Sequence, residues 1–440
     1  MNSPKLFLET APLKLFFTAA IPGAVSMLAS ALYQLIDGIF VGRFLGETAF
    51  AALNLAMPFV IINFALADLV GVGSSVPISI SLGRKEEKEA DNLFSCACLM
   101  IVGAGLAVGA ILFLAAPTLI RLMGAEGDFA DMAVQYLRVY ALFSPFTTIV
   151  FAMDNYLRIC GKIRTSMVLN ILMSVLIVSL EYLFLGVLGF GIWGAALATC
   201  IGMIVCTLLA LFPFFFGKMQ LHFTRPRFSR RLVRQIVACG SPNFLNNIAG
   251  RITSILMNVL LIRFGGETAV SVYGILMYVD GFIQPLLYGM CDSLQPAVGY
   301  NWGAERKDRV KSIEKCCYLA SAILSIGSFF VIFLFPQPIA SLFMSSSSSD
   351  VAAMAVSALL IFSFTYITRW LSFATQSFML AIEKPVPASL ISVSTALVFP
   401  VILVIILWPL GLTGLWVNFG ATSLLAAVLS FVILVRLKFK

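Results

Sequence analysis

Long apolar runs separated by short polar segments fill this chain from end to end. Twelve can be drawn, at roughly residues 14–41, 50–82, 93–115, 131–157, 165–188, 190–216, 235–262, 268–300, 313–335, 351–382, 386–410 and 412–436. Each is long enough to cross a bilayer as a helix of about 20 residues. The pattern predicts an all-α polytopic membrane protein, with twelve transmembrane helices in two pseudo-symmetric six-helix lobes. The second and eighth runs exceed the needed length, so tilt or protrusion is expected there. The first run starts near Leu13 and continues without a small-residue cleavage site, so it reads as a span and not as a signal peptide.

The second half of the chain repeats the first at an offset of 220 residues. Pro22 pairs with Pro242, Gly83 with Gly303, and Gly191 and Gly194 with Gly411 and Gly414. The turn Arg43-Phe44-Leu45-Gly46-Glu47-Thr48-Ala49 returns as Arg263-Phe264-Gly265-Gly266-Glu267-Thr268-Ala269, identical at six of seven positions. One offset fits every place without a gap. Each half holds an even number of spans, so both start from the same side of the membrane, as in a parallel repeat. The expected division is an N-lobe at 1–217, a basic linker at 218–234 and a C-lobe at 235–440. Two such bundles suit alternating access, in which one half rocks against the other.

Composition agrees with the pattern. Hydrophobic residues make up 60% and charged residues 11%, and mean hydropathy is +1.00. The net charge of +8 suggests nucleic acid until its distribution is drawn. With the N-terminus in the cytoplasm, the inner segments collect most basic residues, including Arg84, Lys85, Lys88, Lys218, Arg225, Arg227, Arg230, Arg231, Arg234, Arg306, Lys307 and Arg309. Only Arg43, Arg121 and Arg263 fall outside, and Arg138, Arg251 and Arg369 within helices. The positive-inside rule then explains the charge through orientation, with both termini cytoplasmic. No nucleic-acid partner is expected. The nine cysteines lie mostly in apolar runs and form no CxxC pair, so they read as small buried hydrophobes. The single histidine, His222, lies in the basic linker. Neither a metal site nor a Ser-His-Asp set can be built, and no catalytic cluster of an enzyme is found.

Six acids fall inside predicted spans: Asp37, Asp68, Asp154, Glu181, Asp280 and Asp292. A charged acid at mid-bilayer costs about 2.5–3.5 kcal/mol on insertion scales, so such residues mark paths or partners. Asp37, with Tyr33 and Gln34 a turn away, and Glu181, after the run Val175 to Leu180, are the candidates for binding a proton or cation. The bland alternative for both is snorkelling to the outer surface. Asp68 is as readily a structural hydrogen-bonding residue. Asp154, four residues before Arg158, reads as half of an ion pair. Asp280 lies near Gln284 and is left open, and Asp292 is a candidate pocket residue. Two carboxylates sharing a poorly hydrated pocket exchange a proton against Na⁺ or a cationic substrate without enzyme chemistry. The glycine-rich Gly71-Val72-Gly73-Ser74-Ser75 sits inside a span before Pro77 and reads as helix packing. Ser345 to Ser349 reads as a polar outer loop. There is no ATP-binding domain, so an ion gradient supplies the energy.

Several of these segments resemble the MATE (multidrug and toxic compound extrusion) family. They are Pro22 through Pro58 with Asp37, Gly42 and Gly46; Leu53-Asn54-Leu55-Ala56-Met57-Pro58; Gly71-Val72-Gly73 through Leu82-Gly83-Arg84; Gly194-Ala195-Ala196-Leu197-Ala198-Thr199; Gly289-Met290-Cys291-Asp292 through Gln295-Pro296; and Tyr300-Asn301. The likeness covers nearly the whole chain and is closest to the DinF-like, MepA-type branch. It implies efflux of cationic or amphipathic compounds by antiport with H⁺ or Na⁺, without a cofactor, from a cell (plasma or inner) membrane. It also implies an N-lobe cation site. Asp37 matches its first-helix Asp, Glu181 stands at its fifth-helix Asp and Thr199 matches its sixth-helix Thr. Its fifth-helix Asn is replaced by Ile177. Loss of that amide leaves a hard cation short of oxygen ligands and favours a proton. The seventh-helix Glu of the NorM-like branch has no match in Ala249-Gly250-Arg251. The partners expected are the lipid bilayer and small cationic or amphipathic substrates, bound by a monomer. A substrate cavity between the lobes would be lined by Asp68, Asn258, Gln284, Met290 and Asp292. The rival reading is a lipid-linked precursor or polysaccharide flippase of the same superfamily, with Arg251 and Arg369 to hold phosphates.

Overall fold

The computed structural model describes residues 3–217, 219–342 and 349–437. Lys218, Ser345 to Ser348, Lys438 and Lys440 lie outside the described residues. Among those described, the chain is helical nearly throughout and contains no strand. A short helix α1 (Ser3–Glu9) precedes α2 (Pro12–Leu45), α3 (Glu47–Gly83), α4 (Glu87–Leu122) and α5 (Gly127–Ile159). Then come α6 (Ile163–Glu181), prolonged by a π-helical segment at Tyr182–Val187, and α7 (Ile192–Phe215). The second repeat opens with α8 (Arg230–Asp292), which is broken at Gly266, and α9 (Gln295–Gly303). It continues with α10 (Lys307–Leu334), α11 (Pro336–Leu342), α12 (Ser349–Ser363) and α13 (Thr365–Ala381). A π-helical segment at Ser394–Val398 joins α14 (Pro385–Val393) to α15 (Phe399–Ile406), and α16 (Gly411–Arg436) ends the chain.

Ten stretches among the described residues are long and apolar enough to cross a membrane. Dividing Arg230–Gly303 at Gly266 gives an eleventh, and α12 with α13 form one further bent crossing. The twelve-span frame and the all-helical membrane fold follow. Helices outrun their apolar windows where charged ends protrude into water. The third apolar run begins at residue 93, but α4 starts at Glu87, because Glu87-Lys88-Glu89 are good helix formers that gain nothing from lipid.

The repeat returns in the backbone. Gly46 and Gly266 both take positive φ, 89° and 63°, at the turn after the first span of each half. Only glycine takes that conformation without strain. Lys85 and Glu305, again one offset apart, are both left-handed at 64° and 59°. Gly83 and Gly303 pack reciprocally. A Cβ on Gly83 would lie 2.2 Å from the Tyr300 carbonyl oxygen, and one on Gly303 would lie 2.1 Å from that of Ile80. Gly83→Ala and Gly303→Ala are each expected to cost about 1–3 kcal/mol by overpacking, read as lower thermal stability of the detergent-solubilised protein. Gly103→Ala, with nothing within 4 Å, is the control and is expected to change little.

The tenth span differs from expectation. The apolar pattern is continuous over residues 351–382, but the helix bends by 45° between α12 and α13. No proline or glycine lies there. Hydrogen bonds tighten at the bend, from Phe364 N–H to the Ile361 carbonyl and from Ile367 N–H to that of Phe364. Hydroxyls from neighbouring helices hold the next carbonyls, Ser423 on Thr365 at 2.8 Å and Ser325 on Tyr366 at 2.5 Å. Hydroxyls inserted beside the ladder bend helices in this way.

The chain divides into two compact units. Unit 1 takes Met1–Thr10, Val25–Gly240 and Gly299–Glu305, and unit 2 takes Ala11–Ala24, Ser241–Val298 and Arg306–Lys440. In unit 1, α5 is the central helix, packed by α3, α4 and α7. In unit 2, α13 is packed by α10, α14 and α16. Bulky apolar side chains such as Leu114, Ile405 and Val435 remain exposed on both, the surface that acyl chains cover. All nine cysteines are free, and eight are buried.

Candidate functional site

Unit 1 buries two acids side by side. Asp37, in the second half of α2 and beyond Pro22, is 5% exposed; Glu181, the last residue of α6, is 0% exposed. Their carboxyl groups lie within hydrogen-bonding reach of each other. Asp37 Oδ1 and both Glu181 oxygens have no hydrogen-bond donor among the described residues. Glu181 sits where the α-helix passes into the π-helical segment. That change of pitch re-aims side chains and is frequent at functional positions. Phe40, Phe44 and Tyr182 pack together with ring centroids 5.6–6.3 Å apart and clasp α2 to the π segment.

Tyrosines wall the pair. Tyr33 of α2 and Tyr136 and Tyr140 of α5 are all buried. The Tyr136 and Tyr140 rings lie 5.2 Å apart, one helical turn from each other. Thr199 of α7 is buried and lies within hydrogen-bonding reach of Tyr140. Ile177 is fully buried in an apolar cluster with Tyr33, Met173 and Met203, so no amide stands one turn before Glu181. The chemistry available is therefore narrow. Two ionised carboxylates in contact, away from water and donors, repel each other at high cost. A proton between them or a cation against them relieves it.

Asp154 and Arg158 form their expected i,i+4 ion pair at 2.5 Å. Ser166 and Asn170 also donate to Asp154, and Arg158 Nε donates to Ser166 at 3.1 Å. This network ties α5 to α6 and leaves Asp154 a structural role.

Unit 2 holds a different polar centre. Arg369 of α13 donates to both oxygens of Asp280, at 2.8 and 3.2 Å, and the Tyr366 hydroxyl donates to Asp280 Oδ1 at 2.7 Å. The guanidinium also lies over the rings of Tyr366 and Phe373. The sequence left Asp280 open because its partner lies 89 residues away. The signals were partial: an acid without a nearby base, and an Arg and Tyr one turn apart in an apolar run. Tyr136 and Tyr140 were missed too, although their four-residue spacing in an apolar run marked one helix face.

The expected cavity residues divide between the units. Asp68 is half-buried in unit 1. In unit 2, Gln284 lies within hydrogen-bonding reach of Tyr288, which also accepts from Asn246. Met290 is buried and Asn258 half-buried. Asp292 accepts from Gln295 at 2.9 Å and from Ser377 at 3.1 Å. Neither polar centre has a copy in the other repeat. At the offset of 220, Asp37, Glu181 and Thr199 correspond to Met257, Val401 and Phe419, and Asp280 and Arg369 to Val60 and Ile149. The frame is duplicated and its charges are not.

Known proteins are similar over the whole length. The pattern of the MatE family matches residues 22–183 and 242–406, starting 220 residues apart. The multidrug export protein MepA of Staphylococcus aureus (strain MSSA476) is 24% identical over 438 residues, covering 98% of this chain and 96% of that protein. The multidrug export protein MepA of Staphylococcus saprophyticus is 24% identical over 405 residues, covering 90% of this chain and 87% of that protein. A crystal structure of MATE in complex with MaL6 superposes with a TM-score of 0.93 at 25% identity, over 98% of this chain and 97% of that one. The outward-facing conformation of a multidrug resistance MATE family transporter of the MOP superfamily superposes with a TM-score of 0.90 at 25% identity, with the same coverage.

Proposed function

The chain belongs to the MatE family, and from that premise we propose that it is a multidrug exporter of the plasma membrane, both termini cytoplasmic, that expels small cationic or amphipathic compounds in exchange for protons. The observation that carries the coupling is the buried Asp37–Glu181 contact, with three carboxylate oxygens lacking donors. Proton uptake there and binding of a cationic compound oppose each other, because each neutralises the same excess negative charge. Export follows when the halves at 1–217 and 235–440 alternate access. The absence of an amide at Ile177 supports a proton over Na⁺, since a hard cation takes six or more oxygens at Ca²⁺ size and comparably many for smaller ions.

Thr199 stands within reach of Tyr140 and supports the tyrosine wall rather than the acids directly. The flippase alternative loses support where Arg369 is held at both ends by Asp280. That leaves Arg251, exposed, as a single base for a diphosphate.

Proteoliposomes carrying an imposed proton gradient or an imposed Na⁺ gradient test the reading. A proton gradient is expected to drive uptake or release of ethidium, a planar cation, and a Na⁺ gradient alone is not. Ethidium movement that follows Na⁺ and ignores pH would replace the proton with Na⁺. Translocation of a lipid-linked precursor without ethidium movement would replace the function itself.

A further inference from the structure

The linker between the repeats is an ordered strap on unit 1, held mainly by α4. Residues 219–229 are not helical, yet Met219 and Leu221 are buried. Asp91, Asn92 and Ser95 on the first turns of α4 receive the backbone N–H groups of His222, Arg227 and Thr224, at 2.8, 2.8 and 2.9 Å. Asn92 also donates to the Arg227 carbonyl at 3.1 Å. Phe223 packs against Phe94 at 4.7 Å and Phe215 at 4.9 Å. Ser229 then starts α8, its hydroxyl accepting from the Leu232 N–H at 3.1 Å.

This anchoring fixes five arginines outward. Arg225, Arg227, Arg230, Arg231 and Arg234 are all exposed, and among the described residues none of them meets a carboxylate. The sequence has no Asp or Glu between Glu181 and Glu267. Another basic cluster of unit 1 is different: Arg84, Lys85 and Lys88 interleave with Glu86, Glu87 and Glu89 and cancel locally. Beside the arginines, Phe212, Phe215, Phe216 and Phe228 are exposed. Exposed rings next to exposed guanidinium groups suit the boundary between acyl chains and headgroups.

We propose that the strap and the first turn of α8 bind anionic phospholipid headgroups. The proposal is independent of what the protein exports. It uses the cytoplasmic placement of the linker only to say that the inner leaflet supplies the lipid. A pre-ordered strap matters because a flexible linker would lose its freedom on binding, whereas Arg227 is already held by backbone contacts to α4 and Arg230, Arg231 and Arg234 are held in the helix of α8. Guanidinium forks take two phosphate oxygens at once, which a zwitterionic headgroup answers with its own cation.

The test uses Phe228→Trp protein in nanodiscs, with parent protein to subtract the native tryptophans. Brominated phosphatidylglycerol is expected to quench the introduced indole more than brominated phosphatidylcholine at equal mole fraction. The preference is expected to fall about fivefold per arginine removed, and so about a hundredfold in Arg230→Gln/Arg231→Gln/Arg234→Gln. Arg84→Gln/Lys85→Gln/Lys88→Gln is expected to keep it. Monodisperse elution and unchanged helical circular dichroism establish that each variant is folded. Equal quenching by the two lipids, a preference that survives the triple arginine change, or one abolished equally by the control triple would overturn the proposal. Millimolar inorganic phosphate is expected to leave the preference intact; its loss would assign the site to a soluble anion.

Discussion

Asp37→Asn is expected to leave the protein folded and membrane-inserted but to remove the pH dependence of ethidium binding. On the proposed mechanism, a proton on the acid pair and a bound cation compete in the parent protein. Ethidium affinity should therefore be higher at pH 8 than at pH 6. Linkage makes the effect reciprocal, so ethidium binding should release protons into a weakly buffered solution. Asparagine matches the shape of the aspartate and cannot exchange a proton. Binding in the variant then becomes flat with pH, proton release on binding disappears, and gradient-driven export falls by about 5–150-fold, the span of an ordinary site-to-site coupling. Glu181→Gln is expected to do the same. Because the two carboxyls act as a unit, the double variant should be scarcely worse than either single one. The measurement is ethidium fluorescence anisotropy across pH, alongside proton release. A pH dependence that persists unchanged in both variants would remove the acid pair from the coupling.

Much of this frame was legible because lipid imposes a coarse code. Twelve apolar runs and a repeated Arg-Phe-x-Gly-Glu-Thr-Ala turn were enough to place the spans, and Gly46 and Gly266 break the chain where that turn lies. The Asp154–Arg158 pair was legible because four residues along a helix is a contact. Asp37 and Glu181 could be singled out as costly acids, but spacing alone does not bring residues 144 positions apart together. The resemblance to a family suggested it, and folding of α2 against α6 supplies it. Contacts made only by tertiary packing were out of reach. Nothing near Asp280 announces Arg369, and nothing near Phe364 announces a bend. That bend depends on Ser325 and Ser423, which belong to other helices. The linker read as a loop of charge and Pro226, because backbone hydrogen bonds to Asp91, Asn92 and Ser95 leave no hydrophobic pattern.

Breaking the Asp280–Arg369 pair from one side is expected to cost far more than breaking it from the other. Asp280 is short, 8% exposed, and takes its donors from Arg369 and Tyr366. In Arg369→Ala the carboxylate loses its counter-charge and cannot reach water. Removing one partner of a buried pair costs about 3–5 kcal/mol, in line with about 2.5–3.5 kcal/mol for a charged side chain at mid-membrane. In Asp280→Asn the remaining charge belongs to Arg369. Its long side chain is already partly exposed and lies over Tyr366 and Phe373, so it can extend toward polar surroundings. Asp280→Asn should therefore lose about half as much or less. The double variant Asp280→Asn/Arg369→Gln, which leaves no net charge behind, should be more stable than Arg369→Ala alone. Thermal unfolding in detergent separates the cases. Equal losses in the two single variants would mean that the pair is held by packing and that its charge contributes little. The pH dependence of ethidium binding should survive in Asp280→Asn, because the proposed coupling pair, Asp37 and Glu181, lies in unit 1.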